Sequence, residues 1–379
     1  MKRALIVRTS AFGDVLHGLP VAAAIKKRYP WARLSWLVDE KYRHLLEASP
    51  CVDEVIAARF RLGPRSHAGR NPTASWAGIL RLLRRGAFDV VIDLQGLVRS
   101  GLLSFWTRAP VRIGFPLDLV REGLNVAFSN LRPRGFVARS HVVDRNLSLL
   151  HPLGIRTRER DFPLRIPADW LDPILPLLEE AGAARHRRLR AALHPAAGWA
   201  TKQWSLERYA EIAERLERHW DADVWILWGP GERGLAEQVK ELARASVRIL
   251  PDLDIKGLAA FLGRCDMFLG GDSGPLHLAS ALGLPVLGLY GPSDPVRNGP
   301  PGKGARVLAS PSPCAPCFRR TCPDRACMRA ITVAQVWEGL EQVAQEHGLS
   351  RGLYSRLGKG LKTSAVMSAE KRSVEDHGT

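Results

Sequence analysis

The stretch Asp272-Ser273-Gly274-Pro275-Leu276-His277 follows the apolar run Met267 to Gly270 and leads into the small residues of Leu276 to Leu282. An apolar run that ends in glycine and passes straight into a helix is the strand–turn–helix junction of a parallel α/β sheet. At such a junction the first helical turn carries backbone N–H groups without partners of their own, and Ser273 and Gly274 let an anionic oxygen approach that positive end. The segment therefore reads as a diphosphate cradle. The tripeptide Asp-Ser-Gly is also an ordinary N-cap, and at this level both readings stay open.

Outward from the hexapeptide, Arg190 to His194, Asp223 to Trp228, Val247 to Leu250 and Val286 to Tyr290 join Met267 to Gly270 as one series of short apolar runs. An earlier series comprises Ala4 to Arg8, Leu34 to Val38, Glu54 to Ala57 and Val90 to Leu94, with helical patterns at Leu19 to Arg28, Lys41 to Glu47 and Trp76 to Arg85. Strands alternating with helices predict an α/β protein in which two Rossmann-like domains face an interdomain cleft. The Pro-, Leu- and Ala-rich segment Pro163 to Arg190, ending in Arg185, Arg187, Arg188 and Arg190, is the expected linker. The domains are placed at residues 1–175 and 176–350. Val333, Val336, Trp337, Leu340 and Val343 recur at helical spacing in Thr332 to Glu346, which predicts a packed amphipathic helix. Residues 351–379 read as a basic, disordered tail.

With 379 residues, 46% hydrophobic and 25% charged, the chain has the composition of a globular protein long enough for two cores. Its formal charge of +17 implies an anionic partner: nucleic acid, a phosphorylated substrate or a membrane surface. Met1-Lys2-Arg3 runs into an apolar stretch too short for a signal peptide, and no stretch reaches the roughly 20 apolar residues needed to span a bilayer. The expectation is a cytoplasmic protein, peripheral to the inner face of the cytoplasmic membrane.

A second junction, Arg8-Thr9-Ser10-Ala11-Phe12-Gly13-Asp14-Val15-Leu16-His17, follows the first strand and sets a carboxylate directly after a turn glycine. Open α/β sheets bind ligands at this edge, so Asp14 is either a reactive carboxylate or the N-cap of a helix expected over Val15 to Ile25. The dinucleotide fingerprint G-x-G-x-x-G and the Walker loop are both missing here, which argues against a dinucleotide fold and against P-loop ATP hydrolysis.

Six segments, in order, carry a resemblance: Thr9 to His17, Asp93-Leu94-Gln95-Gly96-Leu97-Val98-Arg99-Ser100, Arg121-Glu122, Lys202-Gln203-Trp204, Gly229-Pro230-Gly231-Glu232 and Asp272 to His277. Over most of residues 1–345 the chain resembles bacterial lipopolysaccharide heptosyltransferases of glycosyltransferase family nine, and is more similar to those that add the first heptose. The resemblance implies a GT-B fold. It further implies inverting transfer of L-glycero-D-manno-heptose from ADP-heptose to the Kdo-lipid A inner core, with no metal or cofactor required for catalysis. By the same resemblance Asp14 is the base and Lys202 assists departure of the diphosphate. Glu232, Asp272, Ser273, Gly274, His277 and Trp204 bind the donor, while Ser10, Gly13, Gln95, Arg99 and Arg121 bind the acceptor. The bland readings are a solvated loop charge for Lys202, a helix start for Glu232 and interdomain packing for His277.

Three features stand apart. Arg59, Arg61, Arg65 and Arg70 precede Trp76, and the stripe Trp76, Ile79, Leu80 and Leu83 lies beside Arg81, Arg84 and Arg85, so this helix either rests on anionic lipid headgroups or is an ordinary core helix with a solvated arginine face. Cys314, Cys317, Cys322 and Cys327 have spacing compatible with a structural zinc, with unbridged thiols or with disulfides. A nucleotide-sugar epimerase would share the fold and the diphosphate site but act without an acceptor. A nucleic-acid-binding protein would use the basic surface and the cysteine loop, yet leave Asp14, Glu232 and Asp272 unexplained, so no nucleic acid is expected.

Overall fold

The computed structural model describes residues 1–60, 76–133, 140–182 and 189–349. Arg61, Arg65 and Arg70, the linker arginines Arg185, Arg187 and Arg188, and the tail at 351–379 lie outside the described residues.

Among the described residues eleven strands form two wholly parallel sheets. β1 (Arg3–Val7), β2 (Arg33–Asp39), β3 (Glu54–Ala58), β4 (Val90–Asp93) and β5 (Val111–Ile113) run in the order β3-β2-β1-β4-β5. β6 (Arg190–His194), β7 (Asp223–Ile226), β8 (Val247–Ile249), β9 (Met267–Gly271), β10 (Val286–Tyr290) and β11 (Ala305–Ala309) run in the order β11-β10-β9-β6-β7-β8. The central strands β1, β9 and β10 are almost entirely buried, because parallel strands covered by helices on both faces have no solvent side. Nine of these strands are legible as apolar runs. β5 and β11 are edge strands whose arginines, Arg112 and Arg306, break the pattern.

The helix expected over Val15 to Ile25 is two helices, Phe12–Leu16 and Leu19–Arg28. Gly18 lies at the break, under the ring of Trp36: a Cβ there would stand 2.7 Å from Trp36 Cη2. Asp14 is consequently inside the first short helix instead of capping it, and its carboxylate accepts from Ala11 N at 3.3 Å. In Trp76–Arg85, Ile79 and Leu83 are buried against the first sheet and Leu80 is half-buried beside them, so this part of the stripe is core, whereas Trp76 at its start is exposed. The described part of the expected linker is structured: a 3-10 turn, Ala168–Trp170, precedes helix Leu175–Gly182, and Trp170 and Ile174 are buried. Helix Val333–Glu346, capped by Thr332, buries Val336, Leu340 and Val343 beside the second sheet.

One hydrophobic core passes from one sheet to the other, joining Ile6, Trp36 and Ile92 to Phe268, Leu276 and Tyr290. Helix Phe12–Leu16 meets helix Gly274–Ala281 at this junction, and two glycines make the approach possible. A Cβ on Gly13 would lie 2.9 Å from His277 Cδ2, and a Cβ on Gly274 would lie 2.8 Å from Phe12 Cδ1. Gly13→Ala is expected to destabilise the protein by about 1–3 kcal/mol, because it overpacks this seam. The denaturant midpoint measures it; an unchanged midpoint means that the seam opens at no cost.

Candidate active site between the two sheets

Every segment singled out around the two junctions lies at the carboxyl edge of a sheet, where open α/β folds bind ligands. On the second sheet, β9 delivers Asp272 into a nearly closed environment. Lys202 Nζ donates to Asp272 Oδ2 at 2.5 Å, and His277 Nε2 lies 3.1 Å from Asp272 Oδ1. Burial opposes ionisation of Asp272, but the hydrogen bond and charge of His277, and then Lys202, hold its carboxyl well below the usual range. Lys202, at the end of the 3-10 turn Ala200–Lys202, also stands 4.2 Å from the centroid of the Trp199 ring. It is therefore a positioned cation, not a solvated loop charge.

Ser273 holds the N-cap position of helix Gly274–Ala281, yet its hydroxyl makes no capping bond. It pairs with His194 Nδ1 at 3.2 Å. The plain N-cap reading of the hexapeptide thus fails, and the first-turn amides keep no side-chain partner from the cap. His194, the last residue of β6, also reaches Glu232, with Nε2 at 3.6 Å from Oε2. That pairing lowers the carboxyl of Glu232, which accepts from Gly229 N at 2.9 Å. His194 was not among the expected site residues; its only sequence signal is a polar residue closing an apolar strand at the sheet's carboxyl end.

On the first sheet, Arg8 binds Asp14 Oδ2 at 2.6 Å and donates to the carbonyl of Leu94. Gln95 Oε1 accepts from Thr9 N at 2.8 Å and Ser10 N at 3.3 Å, tying the loop after β1 to the loop after β4. Beneath them Asp93 accepts from Gln95 N, Gly96 N, Ser100 Oγ and Asn125 Nδ2. Burial raises the carboxyl of Asp93 against these bonds. Arg99 stacks on Phe60, 4.7 Å from the ring centroid. Arg121 is exposed, and its neighbour Glu122 anchors that loop by accepting from Val98 N at 2.6 Å.

Residues 76–327 match the sequence model of glycosyltransferase family 9 (heptosyltransferase). The chain belongs to this family. It is 31% identical over 323 residues to lipopolysaccharide heptosyltransferase 1 of Pseudomonas aeruginosa, covering 84% of this chain and 87% of that protein. The solved Escherichia coli heptosyltransferase WaaC with ADP superposes with a TM-score of 0.71 at 26% identity, over 90% of this chain and all of that one (100%). A family 9 structure from Veillonella parvula shares the fold, with a TM-score of 0.76 at 22% identity over 91% of this chain and 97% of that one. The two sheets are thus the halves of a GT-B glycosyltransferase, and the family match, not the shared fold, separates this family 9 enzyme from epimerases and nucleic-acid-binding proteins.

Two expectations change in this family 9 enzyme. Trp204 does not join the donor cluster: its ring is 2% exposed, stacks edge-on with Tyr209 and donates to Ile331 O at 2.9 Å, so it is a core residue. The zinc reading of the cysteine loop finds no support either: among the described residues no three His, Cys, Asp or Glu are grouped to hold a metal. The four thiols are unbridged. Cys327 is buried under Gly291, Cys314 is exposed beside Ser312, and Cys322 Sγ accepts from Arg325 N.

Three histidines cross the seam behind Asp272. The rings of His17 and His277 are 4.5 Å apart and those of His17 and His141 are 5.6 Å apart. His141 Nε2 lies 2.9 Å from Gly299 O, whereas neither ring nitrogen of His17 has a partner among the described residues. Burial, only partly offset by the Gly299 bond, lowers His141 from 6.5 to about 4. Burial, with His277 and His141 nearby, holds His17 well below its ordinary value. The unfolded chain takes up these protons near 6.5 and the folded chain does not. Stability is therefore full above pH 6.5 and is lost as pH falls toward 4, by about 3 kcal/mol for His141 alone. Urea denaturation from pH 7 to 4.5 should show this decline, and His141→Gln should flatten it; identical slopes would remove His141 as its source.

Proposed function

We propose that this chain moves L-glycero-D-manno-heptose from ADP-heptose to the Kdo-lipid A inner core of lipopolysaccharide, with inversion, as the enzyme that adds the first heptose. The observation that carries this reading is that the Lys202–Asp272–His277 cluster on one sheet and the Arg8–Asp14 pair on the other flank the same seam. In this reading residues 1–175 hold the acceptor and residues 176–350 hold the donor.

Asp14 takes the proton from the acceptor hydroxyl as that oxygen forms a bond to the anomeric carbon. The bond from this carbon to the diphosphate oxygen breaks on the opposite face, and ADP leaves with the electron pair. Lys202 and the first-turn amides after Ser273 and Gly274 meet the developing charge, so fixed protein cations and dipoles do the work of a divalent ion. Arg8 orients the Asp14 carboxylate. Glu232 takes the ribose hydroxyls, and His277 holds Asp272 beside the donor sugar. Arg99 and Arg121 take acceptor carboxylates or phosphates, while Gln95, Ser10 and Gly13 shape the loop that carries the base. Because the acceptor is a lipid, the enzyme works in the cytoplasm against the inner face of the membrane. No helix among the described residues is long and apolar enough to cross it.

The test is ADP release from ADP-heptose with and without a delipidated Kdo2 acceptor, with the sugar product weighed by mass spectrometry. Release that needs the acceptor and adds one heptose supports the proposal. Intact donor binding without transfer would move the acceptor to a core that already carries a heptose, or to another sugar.

A further inference from the structure

Helix Val98–Trp106 is built inside out. Ser100, Gly101 and Ser104 face inward together with Leu103, whereas Leu102, Phe105 and Trp106 are 50%, 54% and 49% exposed. An ordinary surface helix does the reverse. The inner face is fully used: Ser100 Oγ donates to Asp93, Ser104 Oγ to Ser100 O, and a Cβ on Gly101 would strike Phe128 at 2.6 Å. The large apolar side chains are therefore surplus to the core, and an exposed cluster of this kind marks an interaction surface.

Its border is cationic. A groove of about 430 Å³ lies between Phe105, Trp106, Ala109 and Pro110 and the guanidinium groups of Arg84, Arg108 and Arg112. Arg112 stacks over Phe105 at 5.3 Å and donates to Phe128 O and Ala109 O. None of these three arginines has a carboxylate partner among the described residues. Desolvation and the charge of Arg108 lower the pKa of Arg84, as expected of two like charges lining one groove. Trp106 Nε1 donates to Leu80 O at 2.9 Å, which fixes the indole at the rim.

We propose that this face, the outer side of Val98–Trp106 with the Arg84–Arg108–Arg112 groove, docks the enzyme on a bilayer rich in anionic lipid. Phosphate headgroups occupy the groove, and Leu102, Phe105 and Trp106 enter the interfacial layer. The arginine charge selects this occupant, since an apolar protein partner or a second copy of the same basic face would leave it unneutralised. The inference rests on the membrane-bound acceptor proposed above and names the surface that meets the membrane.

The experiment is co-sedimentation of the full chain with vesicles of phosphatidylcholine alone and of phosphatidylcholine with phosphatidylglycerol. Two double variants are compared with it, Leu102→Ser with Phe105→Ser, and Arg84→Ser with Arg108→Ser. The parent chain should bind only the anionic vesicles, and each variant should bind them about tenfold more weakly or less, with transfer to the delipidated acceptor unchanged. Inorganic phosphate at millimolar concentration should leave vesicle binding in place; its loss would make the groove a free-phosphate site and overturn the proposal. Parent-like binding by both variants, equal binding to neutral vesicles, or a dimer that both variants dissolve would overturn it too. Failure of transfer in the parent chain, with vesicle binding as described, would instead count against the proposed reaction alone.

Discussion

Asp14→Asn is expected to lower kcat by about a thousandfold while leaving the donor dissociation constant unchanged. The substitution keeps the size of the side chain and, through its amide oxygen, the acceptor for Ala11 N, so the helix Phe12–Leu16 retains its local support. It removes the carboxylate proposed to take the acceptor proton, and it frees Arg8 from its 2.6 Å partner. Arg8 remains fixed by the Leu94 carbonyl, so the loop should not collapse. Donor binding, read by ADP titration and proposed for the other sheet, should not move. Near-normal turnover by this variant would remove Asp14 as the base and leave the fold assignment untouched.

Lys202→Met should lower kcat/KM by about 10²–10³-fold, the range seen when one fixed donor to a developing oxyanion is lost. Methionine preserves much of the length over Trp199 but none of the charge. Two consequences must be separated, because Lys202 also neutralises Asp272, and both side chains are largely buried. Loss of a buried partner costs about 3–5 kcal/mol of stability, so the unfolding midpoint should fall as well. The catalytic effect is identified by its split: single-turnover chemistry slows even at saturating donor, whereas a merely structural loss would appear as less folded enzyme with normal chemistry. A folded Lys202→Met enzyme with parent-like kcat/KM would mean that the leaving diphosphate is neutralised elsewhere.

The central strands were legible because a parallel strand covered on both faces must be apolar without alternation, as in Val286 to Tyr290. β5 was not, since three residues holding an arginine between Val111 and Ile113 carry too little pattern. Lys202, Asp272 and His277 could be picked as chemical groups from spacing and family resemblance, but their mutual contact could not, because it joins residues 70 positions apart at one end of the sheet. Trp204 shows the converse: it sits one residue beyond Gln203 in a motif, and only burial against Tyr209 and Ile331 reveals it as core. The contact of His17 with His141 escaped notice for a related reason. His17 and His141 become neighbours only through the docking of two helices, and nothing in their local sequence announces it.

The interlock of Gly13 with His277 and of Gly274 with Phe12 bears on inheritance as well as packing. Two separate sheets invite the expectation that donor and acceptor recognition recombine as independent cassettes. Here the hydrophobic core runs through both halves, and each supplies the glycine that admits the other's ring. A chimera that grafts one half onto a relative's other half must carry both ring–glycine pairs with it, so specificity in this chain can drift by substitution far more readily than by exchange of whole halves.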